Sequence, residues 1–423
     1  MEGQQPNRDD QLLQEYLRTV KEHSCGLLSK IKMKKCFYFL SVAIFFSIEA
    51  IGTSAAIPHR IVIPDIDGYK TLKGELHIHT VFSDASVWPT TRIDEAMTEG
   101  LDFIAITDHV DARLLKQKNK GLMDFDRNES YKIAASAGKS HDVLVIHGGE
   151  ISRGMPPGHF NTLFVSDCET IGKVSDAHED HYKAMKAGLA EARKQGGFLV
   201  WNHPHWERQA QNETRWYPEH TALYDAGMMH GIEIYNAFCG YSPEAHRWAM
   251  ERGLTLICGT DSHVPMFLSV DFIKGDIRPV TLVFARERSL GGIREALDAR
   301  RTAVFANGMV YGREEVLRPL MEALFEVSDV KYAEKKVTFR VVNRSSIPLT
   351  LRKAPGSEKI VYPREMVIRP FEEVILTVYG LDNKKPIGLD EFDVNFAVMN
   401  FLIDVESPMT YSLHFEMPEK YRH

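Results

Sequence analysis

The chain has 423 residues, 44% hydrophobic and 26% charged, an ordinary globular composition that allows two or three domains and excludes a disordered chain. Its 51 Lys and Arg against 58 Asp and Glu leave a formal net charge of -7, and no basic run with interleaved aromatics breaks that balance, so a nucleic-acid duplex is not an expected partner. A small anionic substrate would have to meet cations supplied locally.

Residues 1–32 form a polar leader, and residues 33–56, MKKCFYFLSVAIFFSIEAIGTSAA, have the basic start, apolar stretch and small-residue end of a signal peptide. The expectation is that Met33 is the natural start, the leader being a start-site artefact, and that an uncleaved anchor is the alternative. The apolar stretch falls short of the roughly 20 residues a span needs, so a periplasmic or secreted protein without a stable membrane span after cleavage is predicted. Cleavage near Ala56 would leave Cys168, Cys239 and Cys258, too few for a disulfide framework.

Residues 70–312 alternate short apolar runs (DFIAIT, DVLVIH, FLVWN, GIEIYN, LTLICG, VTLVF) with segments of helical period such as HYKAMKAGLAEARKQGG. That alternation predicts βα units, an α/β fold with a parallel sheet, and closure into a barrel. From about 315 to 423 the pattern changes to two-residue alternation broken by Pro, Gly, Asn and Ser, as in VTFRVVNRSSIPLTLRKA, which predicts a C-terminal antiparallel β-sandwich without catalytic groups.

The apolar runs end in residues that bind metals. GELHIHTVFSDAS places His77 and His79 on one face of a strand, with Asp84 beyond. Asp108 and His109 close the next run, Glu150 the third, His203 a fourth, and Asp261 and His263 the run LICGTDSH; Glu233 lies within GIEIYN. In a parallel α/β sheet such ends share one edge, so the side chains converge although the sequence scatters them. Imidazoles mixed with carboxylates, without thiolates, suit Zn²⁺, Mn²⁺ or Fe in a hydrolytic site.

LHIHTVFSDAS, ITDHVD, HGGEIS with PGHFN, WNHP and GTDSH, in this order over residues 72–310, resemble the polymerase and histidinol phosphatase (PHP) domain family. The resemblance implies a distorted (β/α)7 TIM-like barrel, two or three divalent ions, and phosphoester hydrolysis. It implies a first ion on His77, His79, Glu150 and Asp261, a second on Glu150, His159 and His203, and a third on Asp84, His109 and His263, where Asp84 stands in place of the His of some relatives. His77, His79, Glu150 and Asp261 would then be central to catalysis.

Around these, His205 is a candidate general acid, Arg113 and Arg153 are candidate phosphate clamps, Asn236 and Glu233 candidate substrate or outer contacts, and Asp108 and Asn202 candidates to orient imidazoles. His147 and the HEDH stretch at 178–181 read as structural or solvated. The expected function is an exported metal-dependent phosphoesterase acting on a nucleotide, sugar phosphate or inositol phosphate. The alternatives are a metal-dependent amide or lactone hydrolase, and a non-catalytic glycan- or surface-binding protein that works through its sandwich.

Overall fold

The computed structural model describes residues 60–111, 126–206, 213–383 and 385–422; the leader, the signal segment and Arg113 lie outside these. The apolar runs become strands whose side chains are buried on both faces, β2 having no exposed residue. In chain order they are β1 (Lys70–Glu75), β2 (Phe103–Ile106), β3 (Leu144–Ser152), β4 (His159–Leu163), β5 (Phe198–Trp201), β6 (Gly231–Asn236), β7 (Gly240–Tyr241), β8 (Thr255–Gly259), β9 (Val280–Ala285), β10 (Thr302–Ala306) and β11 (Met309–Gly312). Helices of the expected amphipathic kind join several of them. Pro89–Glu99 ends at Gly100, whose φ of 78° only glycine adopts freely, and His181–Lys194 starts where Asp180 accepts from the Lys183 N–H.

β1, β2 and β3 run parallel, as do β5, β6 and β8. Between these sets β4 is antiparallel to both β3 and β5. HGGEIS and PGHFN are therefore the two arms of one hairpin, and the start of β4 lies beside the end of β3. On the far side of β1, the strands β9, β10 and β11 follow antiparallel.

Of the expected distorted (β/α)7 barrel, the α/β fold is found, but its sheet is of mixed direction and its ladder does not close. Beyond the ends of β1 and β8 the chain makes only an isolated parallel bridge, Ile78 with Ser262, supported by the Asp261 N–H donating to the His77 carbonyl at 2.8 Å. The sheet curls round a cluster that includes Leu76, Phe103, Ile146, Leu163, Phe198, Val200 and Ile257. Gly74 admits this packing, since a Cβ there would lie 2.0 Å from the Phe103 ring.

A helix, Glu314–Leu324, comes next, where the sequence reading expected strands; Val316, Leu317, Leu320, Met321 and Leu324 form its buried face. Then follow β12 (Phe325–Ala333), β13 (Lys336–Asn343), β14 (Leu349–Lys353), β15 (Ile360–Val361), β16 (Glu365–Ile368), β17 (Glu373–Asp382), β18 (Lys385–Ile387), β19 (Glu391–Asp404) and β20 (Ser407–Glu416). They form the expected antiparallel sandwich, and β13 buries Val337, Phe339 and Val341 in strict alternation. One layer is β12-β13-β17-β15 with β18 on β17. The other, containing β16, β14, β19 and β20, joins the α/β sheet through the parallel pairing of β19 with β11. Among the described residues, no helix is long and apolar enough to cross a membrane.

Candidate metal centre

Because β1, β2, β3, β5, β6 and β8 share one direction, their C-terminal ends deliver side chains to one edge. His77 and His79 follow β1, Asp84 lies in the loop beyond, His109 follows β2, Glu150 lies in β3, His203 follows β5, and Asp261 and His263 follow β8. His159 reaches the same place from the start of β4, because the hairpin reverses the chain there.

All nine expected ligands come together, in four overlapping groups: His79, Asp84, His109 and His263; His77, His203 and Asp261; His77, His79 and Glu150; and Glu150, His159 and His203. Glu150 is central and 1% exposed. Its Oε1 faces His159 Nδ1 at 3.1 Å, His203 Nε2 at 3.3 Å and His77 Nε2 at 3.5 Å, while Oε2 faces His109 Nδ1 at 2.7 Å and His79 Nε2 at 3.6 Å. Asp261 Oδ1 lies 3.0 Å from His79 Nε2 and 3.3 Å from His77 Nε2. Asp84 Oδ1 lies 2.9 Å from His263 Nε2 and 3.4 Å from His109 Nε2. Relative to the expected ligand sets, His79 also falls in the Asp84 group, and His203 also falls beside His77 and Asp261.

The polar contacts behind the cluster show what it suits. His77 Nδ1 lies 2.8 Å from the Glu233 carboxylate, which can only accept, so Nδ1 carries a ring proton and Nε2 is the nitrogen whose lone pair a metal ion would take. Ser83 donates to Asp108 at 2.5 Å and lies 3.3 Å from His79 Nδ1, which leaves that ring's Nε2 to face the cluster in the same way. These two Nε2 atoms are 3.2 Å apart and face Asp261 and Glu150. Lone pairs and carboxylates packed this closely repel one another unless a cation lies among them, and divalent ions fit that donor set.

In the metal-free protein, protons take over part of this role. Burial disfavours an imidazolium at His77, but Asp261, Glu233 and Glu150 push it up to about 10. Burial opposes charge at His109 too, and Glu150 and Asp84 outweigh it, raising the group well above its usual range. His79 goes the other way: burial, with His263 and His109 alongside, lowers it to about 4. Burial works against ionised Glu150 and Asp261, yet the surrounding imidazoles hold both carboxyls below their ordinary range.

The remaining candidates are placed differently from expectation. Asn202 donates to Glu150 Oε1 at 2.9 Å, so it orients the carboxylate and not an imidazole, whereas Asp108 acts on His79 through Ser83. Arg153 turns its Nη2 to Asp111 at 2.7 Å, Ser175 at 2.7 Å and Asp176 at 3.3 Å, contacts that compete with the expected phosphate clamp, and Asp111 in turn accepts from the Ser152 N–H. Asn236 is buried and donates to Glu233 at 3.2 Å, which removes it from substrate contact. His205 is exposed, bonded to Thr214 at 2.7 Å, and belongs to none of the four groups. His147 stacks on Tyr131 with ring centroids 4.1 Å apart, a structural role as expected.

Sequence reasoning placed Ser83 and Ser152 beside the cluster, but not their contacts to imidazoles, Ser152 lying 2.7 Å from His109 Nδ1. The residue it missed altogether is Arg92. This fully buried guanidinium donates to the carbonyls of His79, Ser262 and Val264 at 3.0, 2.7 and 3.0 Å, tying the loops after β1 and β8 together. A single arginine in an amphipathic helix carries no sequence signal for such a role. Aromatic rings flank the imidazoles: Trp206 lies 5.3 Å from His203, and Phe238, 46% exposed, lies 6.1 Å from His263.

An Ig-like domain family model matches residues 325–414. No curated protein matches the chain. Among solved structures, a two-domain protein from Bacteroides vulgatus containing a predicted PHP-like metal-dependent phosphoesterase is 40% identical, with a TM-score of 0.77 over 84% of this chain and 98% of that one. A candidate metal-dependent phosphoesterase from Bifidobacterium adolescentis (15% identity, 46% of this chain and 89% of that one, TM-score 0.35) is much more distant. So is an amidohydrolase from Chromobacterium violaceum (16% identity, 45% of this chain and 88% of that one, TM-score 0.33).

Proposed function

The chain belongs to the PHP-like family of metal-dependent phosphoesterases, and from that premise we propose that this hydrolase cleaves a small phosphate ester of the nucleotide, sugar phosphate or inositol phosphate class, outside the cytoplasm. The observation that carries the reading is Glu150, one buried carboxylate whose two oxygens face five imidazoles. That arrangement suits a bridge between two or three divalent ions, Zn²⁺, Mn²⁺ or Fe, held by His77, His79, Asp84, His109, Glu150, His159, His203, Asp261 and His263. When bound, such ions lower the pKa of water toward neutrality and neutralise phosphoryl oxygens that gain charge.

The chain's own residues hold and orient this centre. The nearby serines are held by other contacts: Ser262 Oγ donates to the Val264 carbonyl at 2.8 Å and lies 2.9 Å from Ser269, Ser83 donates to Asp108, and buried Ser152 is held between His109 Nδ1 at 2.7 Å and Glu150 Oε2 at 3.2 Å. The imidazole and carboxylate that hold Ser152 are themselves expected metal ligands, so none of the three serines has a free general base, which favours attack by water without a covalent enzyme intermediate. The basic start and apolar core of residues 33–56 support export.

The test is turnover by purified protein of known metal content on a panel of phosphometabolites and p-nitrophenyl phosphate, with amides and lactones alongside. Phosphate release that chelator abolishes and Mn²⁺ or Zn²⁺ restores is expected, with Ser262→Ala retaining most of kcat. Cleavage of amides or lactones alone would replace the phosphoester reading. Metal without turnover on any of them would favour a binding role.

A further inference from the structure

We infer that Glu233 is a positioning residue that couples two ligand groups of the centre, setting the tautomer of His77 and the backbone of His203 with a single carboxylate. The inference rests on reading the cluster as a metal centre. Glu233 is 1% exposed, and three donors converge on it. His77 Nδ1 lies 2.8 Å from Oε1, while Oε2 accepts from the His203 N–H at 2.8 Å and from Asn236 Nδ2 at 3.2 Å. The Asn236 amide cannot turn round, because its Oδ1 already accepts the Phe238 N–H at 3.0 Å.

Two further features show that the chain is built around this carboxylate. His203 has a φ of 28°, a left-handed backbone that non-glycine residues adopt at a cost and keep only where neighbours hold them. The Glu233 contact to the His203 N–H is such a hold. Opposite, Gly259 on β8 leaves no room for a side chain: a Cβ there would lie 2.3 Å from His77 Cβ and 2.5 Å from Glu233 Oε1.

Glutamine cannot replace this residue without loss, although it has almost the same shape. With its amide nitrogen at the Oε2 position, it would point N–H groups at the His203 N–H and the Asn236 amide, and the hold on His203 is lost. With the nitrogen at the Oε1 position, it would donate to His77 Nδ1 and drive the ring proton to Nε2, the atom that faces His79, Glu150 and Asp261. Either orientation disables one ligand, while the Asp84, His109 and His263 group is untouched.

The experiment strips the full chain with chelator, titrates it with Mn²⁺ and with Zn²⁺, and counts bound ions in wild type, Glu233→Gln and Asn236→Ala. Removing such an outer partner of a ligand costs about 10–100-fold in metal affinity, so Glu233→Gln should lose at least 10-fold for part of the bound metal while some binding stays at wild-type strength. Nitrogen NMR of the zinc-loaded protein should show the His77 tautomer altered or His203 no longer ligating. Asn236→Ala keeps every ligand and the carboxylate, and should weaken binding by less than 10-fold; it carries the test if the glutamine variant does not fold. Unchanged affinity and stoichiometry in Glu233→Gln, or in Asn236→Ala should that variant stand alone, would overturn the inference, as would a loss of thermal stability with metal affinity intact. Substrate plays no part, so a wrong phosphoester reading would not disturb the result. Failure of wild type to bind metal would instead sink the premise.

Discussion

Glu150 and His263 give contrasting expectations at the scale of the single side chain. Glu150 faces His77, His79, His109, His159 and His203, whereas His263 Nε2 faces Asp84, and its Nδ1 is held by the Asp261 carbonyl at 2.8 Å. Glu150→Ala should therefore lose most of the bound metal and His263→Ala only part of it, by elemental analysis; full metal in Glu150→Ala would refute the bridging role. A second expectation concerns pH. His77 is held up to about 10 in the metal-free fold against an unfolded value of about 6.5, so its contribution to stability is complete below 6.5 and is lost as pH rises through 10. Chelated protein should melt at progressively lower temperature from pH 7 to 10, and metal-loaded protein, whose cation replaces the proton, should hold its Tm. A metal-free Tm that stays flat to pH 10 would mean that protons do not stand in for the cation. The ligand types were legible in the sequence because strand ends concentrate them. Their supports were not: Ser83, Ser152 and Arg92 act through contacts between segments far apart in the chain, and Asn236 and Arg153 look like substrate contacts until their partners are known.

At the scale of elements, Arg92 shows how one helix disciplines two loops. The helix Pro89–Glu99 turns it inward, where it binds three loop carbonyls as well as Glu95 at 2.9 Å. Lysine would keep the charge and lose the fork. Hydrogen bonds to charged groups contribute about 1.5–3 kcal/mol, so Arg92→Lys should lower unfolding free energy by about that much, together with weaker metal retention at the Asp84 group. Denaturation with metal analysis checks both, and a variant with undiminished stability and metal would deny the helix this role. The elements themselves were partly legible. Long apolar runs and helices of clear period stood out, whereas the β3–β4 hairpin did not, since PGHFN is too short and polar to read as a strand and takes its conformation from pairing with β3 and β5. The helix Glu314–Leu324 had a signal, its Val316, Leu317, Leu320, Met321 and Leu324 stripe, which the strand-like texture that follows obscured.

For the whole molecule, the consequential feature is the seam between the α/β unit and the sandwich. β11 pairs with β19, matching Val310 with Phe401 and Tyr311 with Leu402. Asn400 donates to the carbonyls of Gly308 and Pro348 at 2.8 and 2.7 Å, and the Ser346 N–H donates to the Val62 carbonyl at 2.8 Å. One apolar core runs through both parts, with Ile104, Leu282, Val310 and Leu320 in the same cluster as Phe339, Phe396 and Phe401. The lack of a low-complexity linker leads one to expect the sandwich to pack directly on the catalytic part, but the local patterns carry no trace of the shared sheet, because pairing across the seam depends on residues about 90 positions apart. A sandwich that only followed the catalytic part on a tether would melt separately. A shared sheet and core instead couple the two, so calorimetry should show a single cooperative transition. Phe401, fully buried at the seam, is the residue to probe: truncating a core phenylalanine costs about 3–5 kcal/mol, and Phe401→Ala should lower the melting of the sandwich and the release of bound metal together. Two separate transitions, with Phe401→Ala moving only the one that leaves metal bound, would show instead that the sandwich is an independent passenger on the metal centre.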